Sequence, residues 1–234
     1  MTQSSSPHFT VQRFGQLWQR TLVSNATDRS AEIFATVAAR YAESHRRYHT
    51  QAHIAHCLSC HDDAAELMHD ADAVETTLWF HDVIYELGSR TNEADSVDFF
   101  LSHAADAFPD EFNQRVADMI MVTEHKQVPE PGDAQYVVDI DLSSFGLPWE
   151  TFSRDCVHLR EEAPAAMSDE DYRIARVAFL EGLVARPALF LTPPFKARYE
   201  EIAQDNMARH LDQLRPASGC DQSRTGQASV YDAG

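Results

Sequence analysis

Twelve histidines occur in a chain of 234 residues. Imidazole is the side chain that binds metal ions as a neutral base and moves protons near neutral pH. On one helix, His45, His49, His53, His56 and Cys60 would fall within an arc of about 80° at about 100° per residue. Such a face is either wet or aimed at a site. A second concentration is the vicinal pair His81 and Asp82, set among Leu78, Trp79, Phe80, Val83, Ile84 and Tyr85. Burying an imidazole and a carboxylate there is costly unless something pairs with them, and a divalent cation does so. A third is Asp139 and Asp141, which interrupt the apolar run of Val137, Val138, Ile140 and Leu142. One imidazole of the stripe, the His–Asp pair and one later carboxylate make an N/N/O/O set. On an octahedral ion that set leaves positions for water or substrate. Such a metal lowers the pKa of bound water and can present hydroxide to a phosphorus centre.

The elements that must hold these residues read as helices. Apolar residues recur at spacings of three and four: Phe14, Leu17, Trp18 and Leu22; Ile33, Phe34, Val37 and Tyr41; Val97, Phe100, Leu101 and Ala104. Val116, Met119 and Ile120 continue the pattern, as do Ile174, Val177 and Leu180, and a last helix runs through Tyr199, Ile202, Met207, Leu211 and Leu214. Breakers separate them at Gly88, Pro109, residues 129–132, residues 146–148 and Pro193–Pro194. Residues 136–140 have strand propensity but stand alone. Eight glycines are few for the length and disfavour folds with many tight turns. The expectation is a single all-α domain of about eight to ten helices over residues 1–215, followed by a disordered tail at 216–234 with little to bury.

Composition narrows the partners. Nineteen basic against 37 acidic side chains give a formal charge of −18, which argues against nucleic acid as a ligand. No run reaches the roughly 18 apolar residues of a membrane span. The N-terminus lacks an apolar export segment and the four cysteines read as reduced thiols, so a cytoplasmic location is expected. No dinucleotide fingerprint, P-loop, nucleophile elbow or His-Glu-x-x-His helix is present, so any nucleotide chemistry falls to side chains and metal.

The spaced H…HD…D set resembles the HD superfamily of metal-dependent phosphohydrolases, which are all-helical. The stretches YAESHRRYHTQAHI (41–54), WFHDVIY (79–85), Asn92–Glu93, TEH (123–125) and DIDLSSFG (139–146) are similar to a bacterial HD-domain group within it, in the same order. The likeness runs from about Phe14 to about Leu214. It implies an HD-type helical bundle in which His53, His81, Asp82 and Asp141 hold a divalent metal ion (Mn, Mg, Ni, Co, Zn or Fe). The implied reaction is hydrolysis of a phosphoester or phosphoanhydride in a small molecule, plausibly a nucleotide, by metal-activated water, with Asp82 counted among the catalytic residues. Glu86 stands where the group has aspartate after Tyr85, and residues 57–61 depart from its pattern.

Other residues have two readings each. Glu93 is a candidate proton donor or a charge complementing a helix N-terminus. His125 is a candidate for proton transfer, a second metal or a phosphate contact, or a cation at the end of a helix over 119–126. His49, one turn before His53, is a substrate contact or holds a ligand in place. Arg46, Arg47, Lys126 and Arg160 are candidate phosphate clamps in an acidic protein, or solvated charges; Arg160 and Arg176, on later helices, also resemble positions of the HD-domain group, or form structural ion pairs. The C-x-x-C-H run at 57–61 matches haem attachment, which the absence of an export segment disfavours, and a Cys/His zinc site lacks a second Cys/His pair nearby in sequence. A di-iron oxygenase on the same scaffold and a non-catalytic, metal-bound nucleotide sensor are the alternative functions.

Overall fold

The computed structural model describes residues 7–215, so the tail expected at 216–234 lies outside the described residues. Ten α-helices and no strand occur among them: α1 (Val11–Thr21), α2 (Ser30–Arg40), α3 (Gln51–Ala64), α4 (Ala71–Phe80), α5 (Asn92–Ala104), α6 (Asp110–Met121), α7 (Asp133–Leu142), α8 (Trp149–Glu161), α9 (Asp169–Val184) and α10 (Pro193–Leu214). The all-helical expectation and the helix number both hold. No helix among the described residues is long and apolar enough to cross a membrane.

Local chemistry sets the helix starts. Thr10, Thr50, Asp70 and Ser168 each accept a backbone N–H of the first turn, at α1, α3, α4 and α9. Pro193 and Pro194 open α10 rather than interrupt it, since the first helical N–H groups need no intrahelical partner. Residues 136–140 form helix, not strand. The β-branched Val137, Val138 and Ile140 are all buried in α7, and tertiary packing outweighs their propensity.

Helix α4 is the axis of the fold. Every residue from Ala73 to Phe80 is buried, and α1, α3, α5, α6 and α7 pack around it. Its polar members are satisfied: Thr76 and Thr77 donate to the carbonyls of Asp72 (2.7 Å) and Ala73 (2.9 Å), and Glu75 accepts from Arg13 Nε at 2.7 Å. Phe9, Phe14 and Phe34 pack around Trp79 in tilted and edge-to-face contacts with centroids 4.8–6.1 Å away. Held this way, the C-terminal end of α4 presents His81 and Asp82 at a fixed place. On the far side, α10 lies on the short 3₁₀ turn Ser143–Gly146. At Gly146 the approach is so close that a Cβ would lie 2.9 Å from Tyr199 Cα.

Candidate metal centre

His53 and Cys57 are one turn apart on α3, so helical geometry puts both on one face. His45 and His49 are not on that helix. It starts only at Gln51, after the Thr50 cap, and residues 41–50 form a turn-rich segment. His81 follows α4 immediately, and its Nδ1 lies 3.1 Å from the Leu78 carbonyl. A carbonyl only accepts, so Nδ1 carries the proton and Nε2 is turned inward. Asp141 is on α7 two residues after Asp139, about 200° around the helix. The two carboxylates therefore separate. Asp139 is fully buried and accepts from Leu191 N (2.7 Å), Thr192 N (2.7 Å) and Thr192 Oγ1 (2.6 Å), tying α7 to the start of α10. Burial pushes its carboxyl up to about 6 against the pull of those three donors. Asp141 faces the site.

Four donor atoms converge. His53 Nε2 lies 3.4 Å from His81 Nε2, 3.5 Å from Asp82 Oδ2 and 3.3 Å from Asp141 Oδ1. His81 Nε2 lies 3.1 Å from Asp82 Oδ2 and 3.5 Å from Asp141 Oδ1. Ligands about 2.1 Å from one ion, at angles between octahedral and tetrahedral, sit about 3.0–3.4 Å apart. The donor set therefore fits one divalent cation. Cys57 adds a sulfur: the donor atoms of His53, Cys57, His81 and Asp141 lie within 4.8 Å of one another, and Cys57 Sγ is 3.7 Å from His53 Nε2. Asp82 is nearer to both imidazoles than Cys57 is to His53, and burial pushes the Cys57 thiol up. The two carboxylates and the thiol are thus the candidate charged ligands, since a bound cation deprotonates a coordinating thiol. In sequence Cys57 has no second Cys/His pair nearby. The structure supplies those neighbours from α4 and α7, which sequence spacing cannot show.

The charges of the cluster are set by one another. Burial opposes ionising Asp82, but the charges of His81 and His49 outweigh it and hold its pKa low. Burial likewise opposes ionising Asp141, and hydrogen bonds from His125, His53 and His81 hold it well below the carboxylate range. Burial also opposes charging His81, yet Asp82 and Asp141 raise its pKa well above the ordinary value. At His53 burial wins and the pKa falls. Two ionised carboxylates thus crowd two imidazoles of which only His81 is favoured to be charged.

A pocket of about 330 Å³ is lined by Asp82 and Asp141 of this cluster, with the two imidazoles buried behind them. His125 does not lie on a helix: α6 ends at Met121, and His125 adopts the left-handed conformation at φ 54°. Its Nε2 is 2.8 Å from Asp141 Oδ2, leaving Asp141 Oδ1 for the cluster. His49 stacks on Tyr85 with centroids 3.7 Å apart, and its Nε2 lies 4.0 Å from Asp82 Oδ2. Its Nδ1 donates to Glu162 Oε2 at 2.7 Å, while Glu162 Oε1 accepts the N–H groups of Arg47, Tyr48 and His49, each at 2.8 Å. Burial opposes ionising Glu162, and these bonds outweigh it, holding its pKa below the usual range. No sequence signal marks Glu162, which lies 113 residues from His49. Glu93, near the start of α5, lines the pocket, and burial raises its carboxyl above the usual range.

The expected phosphate clamps are elsewhere. Arg46 has a fully buried side chain that donates to the carbonyls of Asp82 (2.7 Å), Val83 (3.0 Å) and His49 (3.2 Å) and to Glu43 (3.1 Å). Its donors are committed to fixing the turn after α4, so it is not free for substrate. Arg47 donates to the carbonyls of Ser44 (2.6 Å) and Arg46 (2.9 Å). Lys126 is exposed and pairs with Glu124 at 2.9 Å. Arg160 pairs with Asp169 and lies over Tyr172. None of these four lines the pocket. The other two members of the imidazole–thiol stripe meet a separate group: His56 Nε2 is 2.8 Å from Ser143 Oγ, and Cys60 Sγ is 3.7 Å from Tyr199 Oη.

No protein-family model, no curated protein and no solved structure matches this chain.

Proposed function

We propose that the chain is a metal-dependent phosphohydrolase acting on a small phosphorylated molecule. The observation that carries this reading is the convergence of His53 Nε2, His81 Nε2, Asp82 Oδ2 and Asp141 Oδ1, at 3.1–3.5 Å for each imidazole contact, beside a pocket of small-molecule size. The resemblance of the H…HD…D spacing to the HD superfamily points the same way. A divalent cation held there supplies Lewis acidity, lowering the pKa of water and offsetting charge on phosphoryl oxygens.

The chain's own groups divide the remaining work. His125 holds Asp141 Oδ2 so that Oδ1 keeps its direction. Glu162 fixes the Nδ1–H tautomer of His49, which leaves Nε2 able to hold or release a proton beside Asp82. Glu93, which lines the pocket and whose raised pKa favours the protonated form more than that of a free glutamate, is the proposed proton donor to the leaving group.

The test is metal analysis of the purified protein followed by a panel of phosphomonoesters, nucleotides and phosphoanhydrides assayed with Mn2+, Mg2+, Ni2+, Co2+, Zn2+ and Fe2+. Phosphate release that needs added metal and disappears in Asp141→Asn supports the reading. Two bound irons with O2 consumption and no phosphate release would replace it by an oxygenase. Tight nucleotide binding with no turnover under any metal would replace it by a sensor.

A further inference from the structure

One polar group in the pocket has no part in the hydrolysis just described. Arg176 on α9 lines the pocket, and it is the one guanidinium or ammonium group to do so among the described residues. Its guanidinium lies 5.7 Å from the ring centroid of Phe145 and 5.5 Å from that of Phe179. Its Nη2 reaches Cys156 Sγ at 3.9 Å, and its Nε is buried with no hydrogen-bond partner among the described residues. Arg13, Arg20, Arg115, Arg173 and Arg198 all have carboxylate partners. Arg176 makes no ion pair among the described residues, in a chain with 37 acidic side chains. A guanidinium is donor-only, and a buried donor with no acceptor is costly. Phe152, Leu159 and Met167 add apolar surface to the same pocket, so this wall offers aromatic and aliphatic contact around a single directional cation. Its planar fork suits two oxygen acceptors, or one carbonyl, held in the plane of a ring.

We infer that the pocket takes a phosphomonoester whose leaving group is a flat, apolar body ending in an oxygen acceptor, a carboxylate or a ring carbonyl, and that Arg176 receives this acceptor while the phosphoryl group sits at the His53–His81–Asp82–Asp141 cluster. This rests on the phosphohydrolase reading. In the reaction, the oxygen of water bonds to phosphorus, the ester P–O bond breaks, and the alcohol or phenol leaves with a proton, giving inorganic phosphate. Arg176 is then a specificity determinant and takes no part in the proton transfers.

The test is calorimetry on metal-loaded protein with benzylphosphonate and 4-carboxybenzylphosphonate, which cannot be hydrolysed at phosphorus. Guanosine and adenosine 5′-monophosphates, bound as their non-hydrolysable phosphonate analogues, form a second pair that sets a ring carbonyl against an amino group. Wild type should prefer the carboxylate or the carbonyl member of its pair by at least about tenfold, the worth of a hydrogen bond to a charged group. Whichever pair shows the preference identifies the source of the acceptor. In Arg176→Met, which keeps the stem between Phe145 and Phe179, that preference should fall below about threefold with benzylphosphonate affinity unchanged. Arg176→Lys keeps the charge but loses the fork, and should retain only part of it, which serves if the methionine variant is misfolded. No preference in wild type in either pair, no binding of any ligand, or a preference that survives in Arg176→Met overturns the inference. Arg176-dependent binding without turnover of phenyl phosphate, 4-carboxyphenyl phosphate or either nucleotide would sink the hydrolase reading and leave the acceptor site standing. Turnover without that dependence would do the reverse.

Discussion

Replacing Glu162 by glutamine keeps the side-chain shape and removes one buried negative charge. In the native protein that carboxylate accepts four hydrogen bonds, three from consecutive backbone N–H groups at 2.8 Å and one from His49 Nδ1 at 2.7 Å. A glutamine carbonyl can keep the backbone donors, more weakly, but its amide nitrogen would face the Nδ1–H of His49 donor to donor. Hydrogen bonds to a charged partner are worth about 1.5–3 kcal/mol, so with the weakened backbone contacts the loss should be about 2–4 kcal/mol. For a domain of this size that is a fall in Tm of about 5–15 °C. The pH dependence has a definite sign. Because the folded-state pKa of Glu162 is depressed, its contribution is present above the ordinary glutamate value and is lost as pH falls through the folded value. The gap in Tm between wild type and Glu162→Gln should therefore be full at pH 7 and shrink as the pH is taken below about 4. Metal-dependent turnover should drop about ten- to a hundredfold, with a shifted pH profile, as His49 loses its anionic partner. Thermal melts from pH 3 to 8 read the first part and pH-rate profiles the second. A Tm within 2 °C of wild type, or a gap that does not change with pH, would refute the reasoning.

Three further outcomes follow from the packing and the site. Gly146→Ala should cost about 1–3 kcal/mol, because the new Cβ meets the Tyr199 backbone; chemical denaturation with an unchanged midpoint would contradict the close approach. Asp139→Ala should cost more, about 3–5 kcal/mol, since two backbone N–H groups and the Thr192 hydroxyl lose a buried acceptor, and the same denaturation curves measure it. Arg46→Gln should lower both stability and metal affinity, because its carbonyl contacts hold the turn bearing Asp82; an effect confined to the KM for substrate would make it a phosphate contact after all.

How far the sequence led can be argued from these residues. The helices were readable because the three–four spacing of residues such as Phe14, Leu17 and Trp18 matches the faces that are buried. The region before α3 was not readable. Nothing local breaks the pattern between Tyr41 and Thr50, and the segment is held by Glu162 and Arg46, whose partners lie up to 115 residues away in sequence. The strand propensity of residues 136–140 was overridden by packing on α4 and by the clasp of Asp139 on α10. Within the centre, His81 and Asp82 stood out as charges inside an apolar run. The choice of Asp141 over Asp139 depended on a resemblance, and in the structure it follows from the 200° that separates them on α7. Cys57, Glu162 and Arg176 are informative only through neighbours that folding supplies.

The central claim is that His53, His81, Asp82 and Asp141 form one cation site, and metal-dependent thermal shift on wild type and Asp82→Ala tests it most directly. A divalent ion at about a hundred times its Kd stabilises the folded protein by about 2.7 kcal/mol, which is a rise in Tm of about 5–10 °C here. The account predicts that rise for metal-stripped wild type on adding Mn2+ or Ni2+, and its loss in Asp82→Ala. A wild type that does not respond to any divalent metal, or a mutant that responds as strongly as wild type, would contradict it.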